Sequence, residues 1–382
     1  MRTIGLNFTF MPPDAPGGMM TYSWSLLEML VRTGRYRYVV YLQSGYRLPD
    51  ELVGQVRVVY VPKFRNRIHR VIWEQTILPV VAAAHGIELM FSPGNAGPVW
   101  GPFAKVVTIH DMIYARVPGG FTRTKSAYRR MMDVLTAWTA HRVIVVSETT
   151  ARDIRLSGLP VGQRMHVVHA ASSHRFSPEP AEDAMLVKVP RPYALMVASV
   201  LPHKSPRMVT AAARRLWREA GITTVIIGAD PEGELARVLA ECGSEGVVFL
   251  PRVPIETLAA YYRQALCLMM PSEYEGFGLP VIEAQASGCP AVVSRGGALP
   301  EVAADAALYI DLDDEQALPA AVLRLQGDPA LRSDLVARGY RNARRFSWER
   351  AADQTAEIFD LCLAKPRLRG VRRLWGRLQS RE

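Results

Sequence analysis

The chain has 382 residues, 49% of them hydrophobic and 21% charged, and a formal charge of +10. Its length suits two domains of roughly 170 to 190 residues, and its apolar fraction excludes a disordered chain, which could not bury enough surface to fold. Seven of the basic residues (Lys365, Arg367, Arg369, Arg372, Arg373, Arg377 and Arg381) crowd positions 365–382 against Glu382 alone, so the body is only mildly basic and lacks the Lys/Arg stripe that a nucleic-acid partner would need.

The chain opens with MRTIGLNFTFMPP, a short apolar run with one basic residue, which reads as a strand rather than a secretory signal. Further β-rich runs follow as YVVYL, VRVVYV, ELMFS, KVVTI, RVIVVS and HVVH, separated by helical patterns such as MMTYSWSLLEMLVR. That alternation predicts parallel strands with crossover helices on both faces. Residues 1–173 make the first domain, and the proline-rich stretch 174–192, which contains SPEP, makes a linker.

A second series, YALMVASV, TTVIIGA, GVVFL, CLMMP, PAVVS and ALYI, fills residues 193–347, and FSWERAADQTAEIFDLCLA predicts a long helix over 348–364. The fold class is therefore α/β, with two doubly wound parallel-sheet domains facing across a cleft, where such sheets bind ligands. No run approaches the ~20 apolar residues of a spanning helix. Cys242, Cys267, Cys289 and Cys362 lie in apolar runs without C-x-x-C spacing, which predicts buried reduced thiols and a cytoplasmic setting.

The densest chemical signal is PSEYEGFGLPVIEAQASGCPAVVS, residues 271–294. A strand ends at Met270, a loop carries Glu275 with Gly276 and Gly278, and Pro280 opens a helix on which Glu283 follows. Glycines there let the backbone N–H groups of Phe277, Gly278 and Leu279 approach an anion, which the helix dipole also favours. A diphosphate would fit. Upstream, VASVLPHKSPRMVTAAARRL puts His203 and Lys204 at a second strand-to-helix junction, VVTIHDMIY puts His110 and Asp111 after a strand, and APGGMMTYSW puts Gly17 and Gly18 before a helix.

Together these segments closely resemble the signature of retaining glycosyltransferases of family 4, with two Rossmann-like domains in the GT-B arrangement. The likeness runs through most of the chain and is strongest from Tyr261 to Asp313. It implies that Glu275 contacts the transferred sugar, Glu283 the donor ribose, and Lys204 the diphosphate. It implies further that His110 lies by the reacting sugar and that Gly17 and Gly18 let the first domain's backbone approach the donor or acceptor. Arg252 and Val253 fall where family members touch the donor base through the backbone. Many members place a second cation beside the lysine, and His203 is the candidate here. Both carboxylates are expected as ionised acceptors for sugar hydroxyls.

No His/Cys/Asp cluster has metal-ligand spacing, and Asp311 and Asp313 form a D-x-D that reads as a turn. No metal or cofactor is expected beyond the nucleotide diphosphate sugar itself. The resemblance is greatest to bacterial mannosyl- and rhamnosyltransferases of surface polysaccharide assembly, implying a glycan or lipid-linked acceptor and GDP-mannose as donor. The tail KPRLRGVRRLWGRLQSRE has apolar residues at helical spacing with arginines opposite, suited to an anionic membrane surface, and the basic runs KFRNRIHR and RTKSAYRR also favour a lipid-linked acceptor. A nucleotide-sugar epimerase or a non-catalytic nucleotide-sugar binding protein would carry the same donor residues.

Overall fold

The computed structural model describes residues 1–11, 17–117, 123–179 and 187–364. The basic tail and the middle of the linker lie outside these residues. In chain order the first domain runs β1 (Thr3–Asn7), α1 (Gly18–Arg32), β2 (Arg37–Gln43), β3 (Arg57–Val61), α2 (Arg67–Thr76), α3 (Leu78–Ala84) and β4 (Leu89–Ser92). It continues with β5 (Ala104–Ile109), α4 (Ile113–Arg116), α5 (Arg123–Thr139), β6 (Arg142–Val145), α6 (Glu148–Leu156) and β7 (Met165–Val167).

The second domain runs β8 (Tyr193–Ser199), α7 (Pro206–Ala220), β9 (Thr223–Ala229), α8 (Glu234–Cys242), β10 (Val247–Pro251), α9 (Ile255–Gln264) and β11 (Cys267–Met270). After it come α10 (Leu279–Ala286), β12 (Ala291–Val293), α11 (Leu299–Ala303), β13 (Ala307–Tyr309), α12 (Ala317–Gly327), α13 (Pro329–Ala343) and α14 (Trp348–Leu363). Each run that the sequence marks as a strand forms one.

Both sheets are parallel, in the orders β3-β2-β1-β4-β5-β6-β7 and β10-β9-β8-β11-β12-β13. The order reverses between β1 and β4 and between β8 and β11, and at such switch points the flanking loops part and leave a crevice. The near-continuous apolar runs follow from burial on both faces, as helices on each side require. Tyr193, Ala194 and Leu195 on β8 and all of β11 are buried.

α14 begins at Ser347, whose hydroxyl accepts a hydrogen bond from the Arg350 amide at 3.2 Å, and it packs against the first domain. Trp348 meets Tyr22 of α1 at 5.5 Å and Phe359 meets Phe91 of β4 at 5.3 Å, while Asp360 pairs with Arg35 and accepts from the Tyr36 hydroxyl. The described part of the proline-rich stretch is equally tied down. Phe176 is buried edge-on to Tyr262 at 5.7 Å, and Arg175 joins Glu51 of the first domain to Glu256 of the second. Cys267, Cys289 and Cys362 are buried as expected, Cys242 is only half-buried, and none of the four is in a disulfide. Among the described residues no helix is long and apolar enough to cross a membrane.

Candidate active site

The loop after β11 is shaped by its own glycines and by a second pair that the sequence reading passed over. Gly278 is left-handed (φ +100°) and caps α10, and a Cβ there would also stand 3.0 Å from Leu299. Gly296 and Gly297 wrap the loop from behind, where a Cβ on either would overlap the backbone of Ser272 and Glu273 or of Glu275. The Ala298 amide donates to the Glu275 carbonyl at 2.8 Å and Ser294 Oγ to the Ser272 carbonyl at 2.5 Å. Glu275 is thus held by its main chain before its side chain does anything.

Its side chain meets Lys204. After β8 the chain makes a tight turn over Pro202–Lys204, and left-handed Ser205 (φ 52°) then opens α7. The Glu273 amide donates to the His203 carbonyl at 2.8 Å, which ties this turn to the β11 loop. Lys204 Nζ and Glu275 Oε1 are in direct contact as an ion pair whose side chains are only 15% and 11% exposed. Two residues far apart in sequence become one charged unit at the β8/β11 switch point.

His203, the candidate for a second cation, is brought to the same place, and its surroundings disfavour the charged form. Burial, followed by the positive charge of Lys204, lowers its pKa below the ordinary histidine value, and the nearby carboxylates of Glu275 and Asp111 only partly oppose this.

Across the crevice lies His110. Its Nε2 is 2.6 Å from the Pro93 carbonyl; a carbonyl can only accept, so the ring proton sits on Nε2 and leaves Nδ1 as the basic nitrogen. Burial lowers its pKa. The His110 amide donates to Asn95 Oδ1 at 2.7 Å, and the ring stands edge-on to Tyr22 at 4.7 Å. Gly17 caps α1 and Gly18 begins it. A Cβ on either would meet nothing within 4 Å, so neither packs as a tight-turn glycine. They come to this side of the crevice through Met19, whose sulfur accepts from Asn95 Nδ2 at 3.5 Å.

The domains touch through Gly276. A Cβ there would overlap the His110 carbonyl oxygen, so glycine is required by the other domain rather than by its own backbone. The Gly276 carbonyl accepts from Ser147 Oγ at 2.7 Å and Thr150 Oγ1 at 3.2 Å, at the start of α6. Glu301 of α11 reinforces the contact, accepting from the amides of Glu148 and Thr149 at 2.9 and 3.0 Å and pairing with His169 at 2.9 Å. Tyr274 adds a hydrogen bond to Asp153 at 2.6 Å.

Glu283 departs from expectation. Its carboxyl is buried on α10 and accepts from the Tyr262 hydroxyl at 3.0 Å. Burial raises its pKa to about 7, against the pull of that hydroxyl and of Arg252. The sequence predicts a fully ionised acceptor; the fold gives one poised between its two forms. The Arg252 guanidinium lies within electrostatic reach of Glu283 and of Tyr46 in the first domain, with Val253 half-buried beside it. Phe277 and Leu279 pack into the core around this loop.

A hollow of about 850 Å³ lies beyond the carboxyl ends of β2 and β3, lined by Ser44, Tyr46, Arg47, Leu48, Asp50 and Tyr60 among others. Its lining contains none of the residues singled out from sequence, and Tyr46 on its wall lies within electrostatic reach of Arg252. Asp311 accepts from the Asp313 amide at 3.0 Å, a turn as predicted. Among the described residues no three His, Cys, Asp or Glu side chains group as a metal-binding set.

Two parallel doubly wound sheets meeting at their switch points, with a charged unit on one side and a histidine on the other, define a glycosyltransferase of the GT-B fold. Residues 16–171 match the family described as Glycosyltransferase Family 4 and residues 181–342 match Glycosyl transferases group 1. The O-antigen chain mannosyltransferase B of Escherichia coli is 31% identical over 266 residues, covering 67% of this chain and 70% of that one. The MMP alpha-(1->4)-mannosyltransferase of Mycolicibacterium hassiacum is 30% identical over 58% of this chain and 54% of its own length. The solved sucrose-phosphate synthase of Thermosynechococcus elongatus superposes with a TM-score of 0.78 at 21% identity, over 95% of this chain and all of that one. The chain belongs to glycosyltransferase family 4.

Proposed function

We propose that the enzyme transfers a mannose-type hexose, with retention, from a nucleotide diphosphate sugar to a glycan or lipid-linked acceptor in surface polysaccharide assembly, without a metal ion. The observation that carries this reading is the Lys204–Glu275 unit at the amino end of α10. When a donor enters, Lys204 turns to the diphosphate, where the α10 dipole also favours negative charge, and frees Glu275 to accept from the sugar hydroxyls. Glu283, on the next turn of α10, accepts from the ribose diol.

The bond from the anomeric carbon to the diphosphate breaks through an oxocarbenium-like state, and the acceptor oxygen attacks the same face. A donor phosphate oxygen takes the acceptor's proton, so the chain supplies charge and position rather than a nucleophile. Mannose leads the sugars because both relatives described above are named mannosyltransferases, and GDP-mannose is the donor tested first. Thermal-shift screening across GDP-, UDP-, ADP- and dTDP-sugars tests the donor, because a ligand of the native state raises Tm according to its affinity. Anomeric analysis of the product tests retention. An inverted product, or turnover of the sugar nucleotide without any acceptor, overturns the reading in favour of another transferase class or of an epimerase.

A further inference from the structure

The first wall of the crevice carries a carboxylate that the donor does not need. Asp111 follows His110 after β5 and opens the one-turn helix α4, its Oδ1 accepting from the Ile113 amide at 3.2 Å. It faces the second domain: a Cβ on Gly276 would stand 2.9 Å from that of Asp111, and His203 and Tyr274 lie within electrostatic reach of its charge. The side chain is 22% exposed, and Arg129 stands 3.6 Å away, too far for a hydrogen bond. A carboxylate can accept about four hydrogen bonds. Among the described residues this one accepts only that from Ile113.

What stands behind Asp111 is more than a cap requires. Asparagine or serine would cap α4 as well, yet α5 sets charged groups against the carboxylate. Arg129 and Asp133, one turn apart on α5, face the α4 turn, Arg129 over the Tyr114 ring at 5.8 Å and Asp133 beside the Tyr114 hydroxyl. The Arg129 side chain is 18% exposed and Asp133 only 1%. Among the described residues, Arg129 Nε and Asp133 Oδ2 are buried without a hydrogen-bond partner. Unpaired buried polar atoms cost stability, so folding alone does not explain an arginine here. Set between Asp133 and Asp111, it fixes the Asp111 side chain in place at the crevice.

We propose that Asp111 is an acceptor-binding group of the first wall, accepting from a hydroxyl next to the attacking one on a neutral sugar, with Arg129 as its positioning residue. The inference rests on the transfer reaction proposed above and adds the chemical class of the acceptor's reacting end. The attacking hydroxyl gives its proton to the donor phosphate, so its neighbours are what the protein can grip, and a carboxylate grips an O–H donor by a charge-assisted bond. A phosphate or carboxylate at that place on the acceptor would meet Asp111 as a like charge. The arginines nearby are turned to the chain's own groups: Arg70 pairs with Glu74 at 2.8 Å, Arg67 lies over the Tyr128 ring at 4.6 Å, and Arg129 faces Asp111.

Steady-state kinetics of the full chain tests this, with the donor that calorimetry selects from GDP-, UDP-, ADP- and dTDP-sugars. The acceptor probes are neutral methyl mono- and diglycosides of mannose, glucose and galactose, and their phosphate monoesters. Asp111→Asn keeps the cap on α4 and removes the charge, so the KM for a neutral glycoside should rise by about tenfold to a hundredfold, while donor affinity holds. Arg129→Ala should raise the same KM by about tenfold, add little to Asp111→Asn, and be partly rescued by Arg129→Lys; a merely structural role would lower donor affinity as well, and circular dichroism and Tm report on folding. The inference is overturned if folded Asp111→Asn keeps the wild-type acceptor KM, if the wild type prefers the phosphate monoesters, or if it binds a donor and transfers to none of the neutral glycosides. Failure of every sugar nucleotide to bind is a separate outcome, which brings down the proposed reaction and this inference with it.

Discussion

The two walls of the crevice are built in opposite ways. On the second domain the loop after β11 is contiguous, its carboxylates and glycines falling between Glu275 and Glu283, and its shape is set by backbone that only glycine can adopt or fit. On the first domain the wall is assembled from Tyr22, Asn95, His110, Ser147 and Thr150, which come from four separate segments and hold one another by side-chain contacts. The wall on the second domain is thus begun by one stretch of chain and completed by Lys204 and by Gly296 and Gly297, whereas the facing wall is drawn throughout from separate segments.

The largest test of that contrast is Lys204→Ala and Glu275→Gln, each expected to lower turnover by about 10² to 10³. Because the two act as a unit, the double variant should lose little more than either single one. Steady-state kinetics on protein of unchanged circular dichroism checks this; additive losses would show that the pair does not work as one.

Gly276→Ala separates the walls. The nearest atoms the added methyl would strike are those of His110 and Asp111 in the other domain, so donor affinity measured by calorimetry should hold while turnover falls by about tenfold or more. Equal losses in both would mean that the loop itself had been deformed.

Glu283 sharpens the comparison through pH. Its folded pKa, about 7, lies above the ordinary 4.5. The stability it contributes is therefore complete below about 4.5 and lost as pH rises through about 7. Accepting from a diol favours the ionised form, so donor affinity should strengthen as pH rises from about 6 to 8, and Glu283→Gln should flatten that profile in titrations at fixed ionic strength. The smallest effect is expected at Glu301, where burial would raise the pKa but the bonds from His169 and from the amides of Glu148 and Thr149 prevail and lower it. Glu301→Gln should lower Tm by about 5 °C, with the difference vanishing as pH falls through the pKa of Glu301, since the stability of a lowered carboxyl is present only above it.

From the amino-acid sequence alone came the two sheets, because strand and helix periodicities are local, and the Glu275–Glu283 segment of the second domain's wall, because its glycines and acids are neighbours along the chain. Lys204, Glu275, Glu283 and His110 were all legible as candidates. What only the tertiary structure decided was how they combine: that Lys204 and Glu275 touch, that burial lowers the pKa of His203 and raises that of Glu283 to about 7, and that Gly276 answers to the opposite domain. Desolvation and contact depend on what packs around a residue, and those neighbours, such as Tyr262, Gly297 and Ser147, stand far from it in sequence. The same holds for the first wall. Asp111 was visible beside His110 in the sequence, but that Arg129 and Asp133 stand behind it is a property of the packed helices.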